Sequence, residues 1–106
     1  TAAAGMPDGE YPLGRQTVTK RGGSVFLGDD TLAGSALTMD QALRNLVSIG
    51  LDVADASRRL STFPADFIGA SDRGRIEEGA FADFVALDDE LQVVQVVVEG
   101  ETVFAA

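Results

Sequence analysis

Histidine, cysteine and tryptophan are all absent from this 106-residue chain, and proline occurs three times. Without cysteine there is no disulfide framework and no thiolate nucleophile. Without histidine there is no Ser-His-Asp triad, because nothing supplies the imidazole that takes the serine proton. Zinc and iron sites are usually built with at least one His or Cys. A hydrolytic metal centre would therefore have to draw its ligands from outside these residues. The acid–base groups that remain are carboxylates, Tyr11 and Lys20. No apolar run approaches the ~20 residues of a membrane span. Basic residues are scarce too: 8 Lys and Arg stand against 17 Asp and Glu, a net charge of −9. Nucleic acid and anionic membranes are recognised by clustered Lys and Arg, so neither is expected as a partner. The acidic surface serves solubility. Thr1-Ala2-Ala3-Ala4-Gly5 has no basic n-region of a signal peptide. Thr1 is not a methionine, so the natural start is expected to lie elsewhere, and a cytoplasmic location is expected.

Apolar residues make up 45% of the chain, enough for the core of one modest domain. Residues 1–15 read as loop, punctuated by Gly5, Pro7, Gly9, Pro12 and Gly14. Residues 16–27 read as a hairpin, with Arg21-Gly22-Gly23 supplying the positive φ angles of a tight turn. Residues 28–37 read as loop again. Thr38 and Gln41 then form a capping box, and Met39, Leu43, Leu46 and Val47 mark one buried helical stripe that stops at Gly50. A second helix is expected from Asp52, with Asp55 in its first turn, Val53, Ala56 and Leu60 on its apolar face, and an end at or near Pro64. Ala65 to Ile68 reads as a short helical turn closed by Gly69. The period then changes. Phe84–Leu87, Leu91–Val98 and Glu101–Phe104 read as strands separated by turns at 88–90 and 99–100. The run Val93–Val98 is almost continuously apolar, so it wants cover on both faces or neighbours on both edges, and further strands from outside the chain are expected.

Most charged groups have ordinary structural readings. Asp88-Asp89-Glu90 lacks the spacing of a calcium loop and reads as a solvated turn. Arg58 and Arg59 read as partners of Asp55. Arg44, near the apolar stripe, reads as a structural salt-bridge former. Gly22-Gly23 precedes no helix and is a turn, not a phosphate cradle.

Two longer patterns carry a resemblance. Gly74 to Val85, with Ile76, Gly79, Ala82 and Asp83 in order, resembles the G-x-I-x-x-G-x-x-A-D signature near the end of amidohydrolase-superfamily enzymes. Asp83 is expected there to bond backbone N–H groups. Asp30-Thr31-Leu32-Ala33-Gly34-Ser35-Ala36-Leu37-Thr38-Met39, followed by Ala42-Leu43-Arg44-Asn45-Leu46-Val47, is similar to the T-L-x-G-S-x-L-T-M and x-R-N-L-V patches of N-acetylglucosamine-6-phosphate deacetylases. Thr1-Ala2-Ala3-Ala4-Gly5 resembles the segment just after that family's catalytic aspartate.

The resemblance implies an α+β chain that is the C-terminal part of a (β/α)8 metal-dependent hydrolase barrel. Residues 1–70 would end the barrel, and residues 71–106 would give strands to its small β-sandwich domain. It implies metal-assisted hydrolysis of N-acetylglucosamine 6-phosphate to glucosamine 6-phosphate and acetate. The divalent metal (zinc, iron or similar), its Glu and His ligands and the general acid–base aspartate would all lie in the rest of the polypeptide. No metal ligand and no catalytic residue is expected here, and the isolated chain is expected to be inactive. The substrate-binding residues implied are Leu32, Ala33 and Gly34. The partners implied are the remaining N-terminal part, the amino-sugar phosphate and a second copy in a homodimer. Two other readings stay open. One is a free-standing, non-catalytic acidic α+β module with Val93–Val98 as its interaction edge. The other is a different amidohydrolase, such as a deaminase or dihydroorotase relative, against which the Leu32–Met39 patch speaks.

Overall fold

The computed structural model describes residues 1–28 and 30–106. They form two compact units, Thr1–Thr38 and Met39–Ala106.

The first unit is an antiparallel meander of β1 (Gly9–Leu13), β2 (Gln16–Arg21), β3 (Ser24–Phe26) and β4 (Leu32–Ser35), in spatial order β1-β2-β3-β4. The expected hairpin is present as β2 and β3. Arg21 pairs with Ser24, and Gly22 and Gly23 take φ of 55° and 82°. A two-residue turn that follows the right-handed twist of its strands needs positive φ at both positions, which costs glycine nothing. Asp8 accepts the Gly22 N–H at 3.1 Å.

Two loop expectations are corrected. Residues 1–15 contain β1, and residues 28–37 contain β4, with Asp29 outside the described residues. Both are edge strands of the sheet. An edge strand needs a ladder on one side only, so Pro12, which cannot donate, is tolerated opposite Thr17. The core of this unit is Ala3, Val18 and Val25, all buried, with Tyr11, Leu13, Leu27, Ala33 and Ala36 packed around them.

The second unit begins with α1 (Met39–Ser48), α2 (Val53–Leu60) and α3 (Thr62–Phe67). On α1, Ala42 and Leu43 are buried, while Met39 of the expected stripe is largely exposed. The Gln41 side chain does not close a capping box. Its oxygen accepts from Arg44 at 3.0 Å and its amide donates to Asn45 at 2.9 Å. Asp52 does cap α2, accepting the Asp55 N–H at 2.7 Å, and Ala56 of α2 is fully buried. α2 stops at Leu60, so Pro64 does not end it; Pro64 belongs to a new helical turn instead. It sits in the first turn of α3, where its missing N–H is no loss.

A three-stranded antiparallel sheet follows: β5 (Phe84–Leu87), β6 (Val93–Val98) and β7 (Glu101–Ala105), in order β5-β6-β7. The apolar run is the central strand, so both of its edges are taken by neighbours inside the chain. That corrects the reading of Val93–Val98 as a free interaction edge. The turn joining β6 to β7 places Glu99 at φ 51°, a conformation a non-glycine residue holds only with compensating contacts. The compensation is visible: the Glu99 N–H donates to Asp83 Oδ1 at 2.7 Å, and its carboxylate accepts from Arg73 at 2.8 Å. Asp83 thus bonds backbone as expected.

Candidate functional site

Leu32, Ala33 and Gly34 lie on β4 at one edge of the first sheet. Leu32 pairs with Phe26 and Gly34 with Val25, across an irregularity between Val25 and Phe26. Side chains alternate along a strand, and here they divide by role. Leu32 is 68% exposed and offers an apolar surface, whereas Ala33 packs on the Val18–Val25 core. Gly34 faces Thr1: a Cβ placed on Gly34 would lie 2.8 Å from Thr1 Cγ2. Thr1 Oγ1 donates to the Ser35 carbonyl at 3.2 Å. The three expected substrate-contact residues therefore form one continuous stretch of edge strand, with Leu32 and Gly34 on one face and Ala33 on the other, and Thr1 and Ser35 lie beside Gly34. Sequence reasoning missed this pair. A Gly-Ser step in an edge strand signals close backbone approach, but not what approaches.

The residues present do not fit a divalent metal centre. The chain has neither imidazole nor thiolate. Among the described residues, no group of three or more His, Cys, Asp or Glu side chains is arranged to hold an ion. The acids have other work. Asp88 Oδ1 accepts the N–H groups of Glu90 and Gln92 at 2.9 and 2.8 Å, closing the turn before β6. Asp55 pairs with Arg59 at 3.3 Å and Arg58 at 4.0 Å. Asp40 pairs with Arg44 at 2.8 Å, and Arg44 also donates to the Leu91 carbonyl at 3.1 Å.

The second unit carries a half-open pocket of about 510 Å3 lined mainly by apolar side chains, among them Leu43, Leu60, Ile76, Phe84 and Val96. Its two acids, Asp40 and Asp83, are each held by an arginine. They are not an acid–base pair awaiting substrate. Arg73 donates to Asp83 at 2.5 Å and to Glu99 at 2.8 Å, and its guanidinium lies 4.1 Å from the Phe81 ring centre. The Glu99 hydrogen bond foremost raises the Arg73 pKa; desolvation, the next largest effect, opposes it, and the Asp83 hydrogen bond and charge add to the rise.

The amidohydrolase family model matches residues 15–103, and the chain belongs to that family. Among curated relatives, a putative N-acetylgalactosamine-6-phosphate deacetylase of Escherichia coli K12 is 41% identical over 101 residues, covering 93% of this chain and 60% of that protein. The N-acetylglucosamine-6-phosphate deacetylase of Danio rerio is 38% identical over 96% of this chain and 26% of its own length. Among solved structures, the N-acetylglucosamine-6-phosphate deacetylase of Thermotoga maritima aligns with a TM-score of 0.84 at 41% identity, over 98% of this chain and 29% of that one. A mutant of the Mycobacterium smegmatis enzyme, solved in complex with N-acetyl-D-glucosamine-6-phosphate, aligns at 0.80 and 37% identity over 96% of this chain and 28% of that one. The chain thus spans between 26% and 60% of the length of these relatives. No described helix is long and apolar enough to cross a membrane.

Proposed function

We propose that the chain is the C-terminal part of a deacetylase that hydrolyses N-acetylglucosamine 6-phosphate. Water adds across the amide, the C–N bond breaks, and acetate and glucosamine 6-phosphate leave. The observation that carries this reading is the likeness, over 96% of the chain, to a structure solved with N-acetyl-D-glucosamine-6-phosphate bound. The Leu32-Ala33-Gly34 stretch, with one exposed apolar side chain and an open strand edge, suits contact with a sugar. The described residues offer no metal site, and the chain has neither imidazole nor thiolate, so the metal, its ligands and the general acid–base carboxylate are assigned to the rest of the polypeptide, which is this chain's first partner. Residues 1–70 are read as the end of a barrel and 71–106 as strands of a β-sandwich. Helices α1 to α3 precede residue 70 and strands β5 to β7 follow it, although both belong to the same compact unit, Met39–Ala106. A phosphorylated sugar is charged at neutral pH and stays in the compartment where it is made, which favours a cytoplasmic location. A homodimer completes the proposal.

A second reading shares the chemistry and changes the sugar. The Escherichia coli relative, at 41% identity, is described as acting on N-acetylgalactosamine 6-phosphate. Proton NMR of acetate release from both sugars decides between them. The polypeptide completed with its N-terminal part is expected to release acetate, with the higher kcat/KM on the glucose epimer. The 106-residue chain alone is expected to release none. Metal-dependent acetate release by the isolated chain would overturn the assignment of the chemistry to the missing part.

A further inference from the structure

Three consecutive residues between α3 and β5, Arg73-Gly74-Arg75, reach into both layers of the second unit. Arg73 donates to Asp83, before β5, at 2.5 Å and to Glu99, in the β6–β7 turn, at 2.8 Å. Arg75 pairs with Asp66 of α3. Between them, the Gly74 carbonyl accepts the hydroxyl of Thr62, the first residue of α3, at 2.6 Å. Gly74 also lies hard against the α2–α3 junction. A Cβ placed on it would come within 2.6 Å of the Ser61 carbonyl oxygen and 2.8 Å of Ala65 Cβ. That carbonyl is not free to move aside, because it accepts the Ala65 N–H at 3.1 Å. Gly74 holds φ at 72° as well. Gly79 has φ of 88°, yet a Cβ there would meet no described atom within 4 Å. Both glycines of the G-x-I-x-x-G pattern need the left-handed region, and Gly74 alone also needs the space.

We propose that Arg73-Gly74-Arg75 is a strap that makes α2–α3 and the β5–β7 sheet open and close as one cooperative unit, anchored where Gly74 meets Ser61. The two helices need such a tie. α2 has 8 residues and α3 has 6, and isolated helices below about 12–15 residues are marginal in water. Apolar packing between the layers is incomplete, since the half-open pocket lies between Leu60 of α2 and Phe84 and Val96 of the sheet. The strap supplies what that packing does not. Its middle residue is fixed on the helices, and the arginines on either side of it bond outward, one to the sheet and one to α3. Displacing Gly74 therefore disturbs both at once. α1 has a tie of its own, from Arg44 to the Leu91 carbonyl at 3.1 Å, and serves as the reference. Segments that share their contacts in this way open together, and amide hydrogen exchange reports that opening. Every atom involved belongs to the second unit, so the proposal stands apart from the deacetylase reading.

Peptide-resolved hydrogen exchange on the completed polypeptide tests the strap, read in residues 61–70 on the helix side and 97–102 on the sheet side. Gly74→Ala is expected to speed exchange about tenfold in both windows, with residues 39–48 of α1 changed less than about threefold. Gly79→Ala imposes similar backbone strain without the collision, and is expected to give less than about a third of that rise. Thr62→Val keeps the side-chain shape and loses the hydroxyl bonded to Gly74. It is expected to speed exchange about threefold in the same two windows. A rise confined to one side of the strap overturns the proposal. So does a rise of equal size in α1, which would mean general loosening, or a Gly79→Ala effect as large as that of Gly74→Ala. Where Gly74→Ala does not fold, Thr62→Val decides: faster exchange in both windows upholds the strap, and faster exchange in 61–70 alone, or in neither, overturns it.

Discussion

Arg73 ties together residues far apart in the sequence of the second unit. It joins Asp83, before β5, to Glu99, in the β6–β7 turn, and lies over Phe81 between them. Asp83 uses its second oxygen for the Glu99 N–H. Removing Asp83 therefore leaves Arg73 with Glu99 and Phe81 alone and strands the Glu99 N–H. Asp83→Ala is expected to cost about 1–3 kcal/mol in urea denaturation, and Asp83→Asn, which retains an acceptor, distinctly less. The raised Arg73 pKa has a defined consequence for pH. A cation stabilised in the fold contributes fully below its unfolded pKa and loses that contribution only as pH rises through the higher folded value. For arginine that window lies in strong alkali. Stability is accordingly expected to be insensitive to Arg73 ionisation between pH 6 and pH 9. An Arg73→Lys variant, whose compact ammonium cannot serve two carboxylates and a ring as a planar fork does, is expected to melt lower than wild type across that whole range.

At the scale of elements, helices were more legible than strands, and edge strands least of all. The α2 cap could be read from Asp52 and Asp55 because a cap is a bond between residues three apart. Asp52→Ala is expected to cost about 1 kcal/mol, measurable by urea denaturation. Ala56 is fully buried on α2, and Ala56→Leu should destabilise by about 1–3 kcal/mol through overpacking. Gln41 had the right spacing for a capping box, yet Arg44 claims its oxygen. The competitor lies one turn along the same helix, and spacing rules do not rank competitors. β1 and β4 were hidden because an edge strand forms half as many ladder bonds and tolerates Pro12 and Gly34. Such residues read as loop until the neighbouring strand is known. The Leu32–Gly34 stretch was located through resemblance, and its alternation of exposed Leu32 with packed Ala33 followed only from the sheet.

For the molecule as a whole, the informative feature is apolar surface that the chain leaves uncovered. In the second unit Phe67 is 91% and Ile76 90% exposed, and Ile68, Val103 and Phe104 are also open. Solvent-facing aromatic and branched side chains in such number mark surface that meets more protein. The isolated chain is expected to bind a hydrophobic dye such as ANS and to self-associate with rising concentration in light scattering. The completed polypeptide should do neither beyond a defined oligomer. A monodisperse, dye-silent isolated chain would refute this expectation.

Sequence by itself determined what chemistry this chain cannot perform and which helices it builds. Composition is independent of conformation, and helix caps and stripes act within four residues of each other. Tertiary structure alone decided that the valine run is a central strand and that Gly34 receives Thr1. It also decided that Arg73 binds Asp83 and Glu99 at once. The Gly34–Thr1 and Arg73 contacts join residues ten or more positions apart, and the strand pairings of the valine run form across two turns, so their energies exist only after the chain has closed the loops between them.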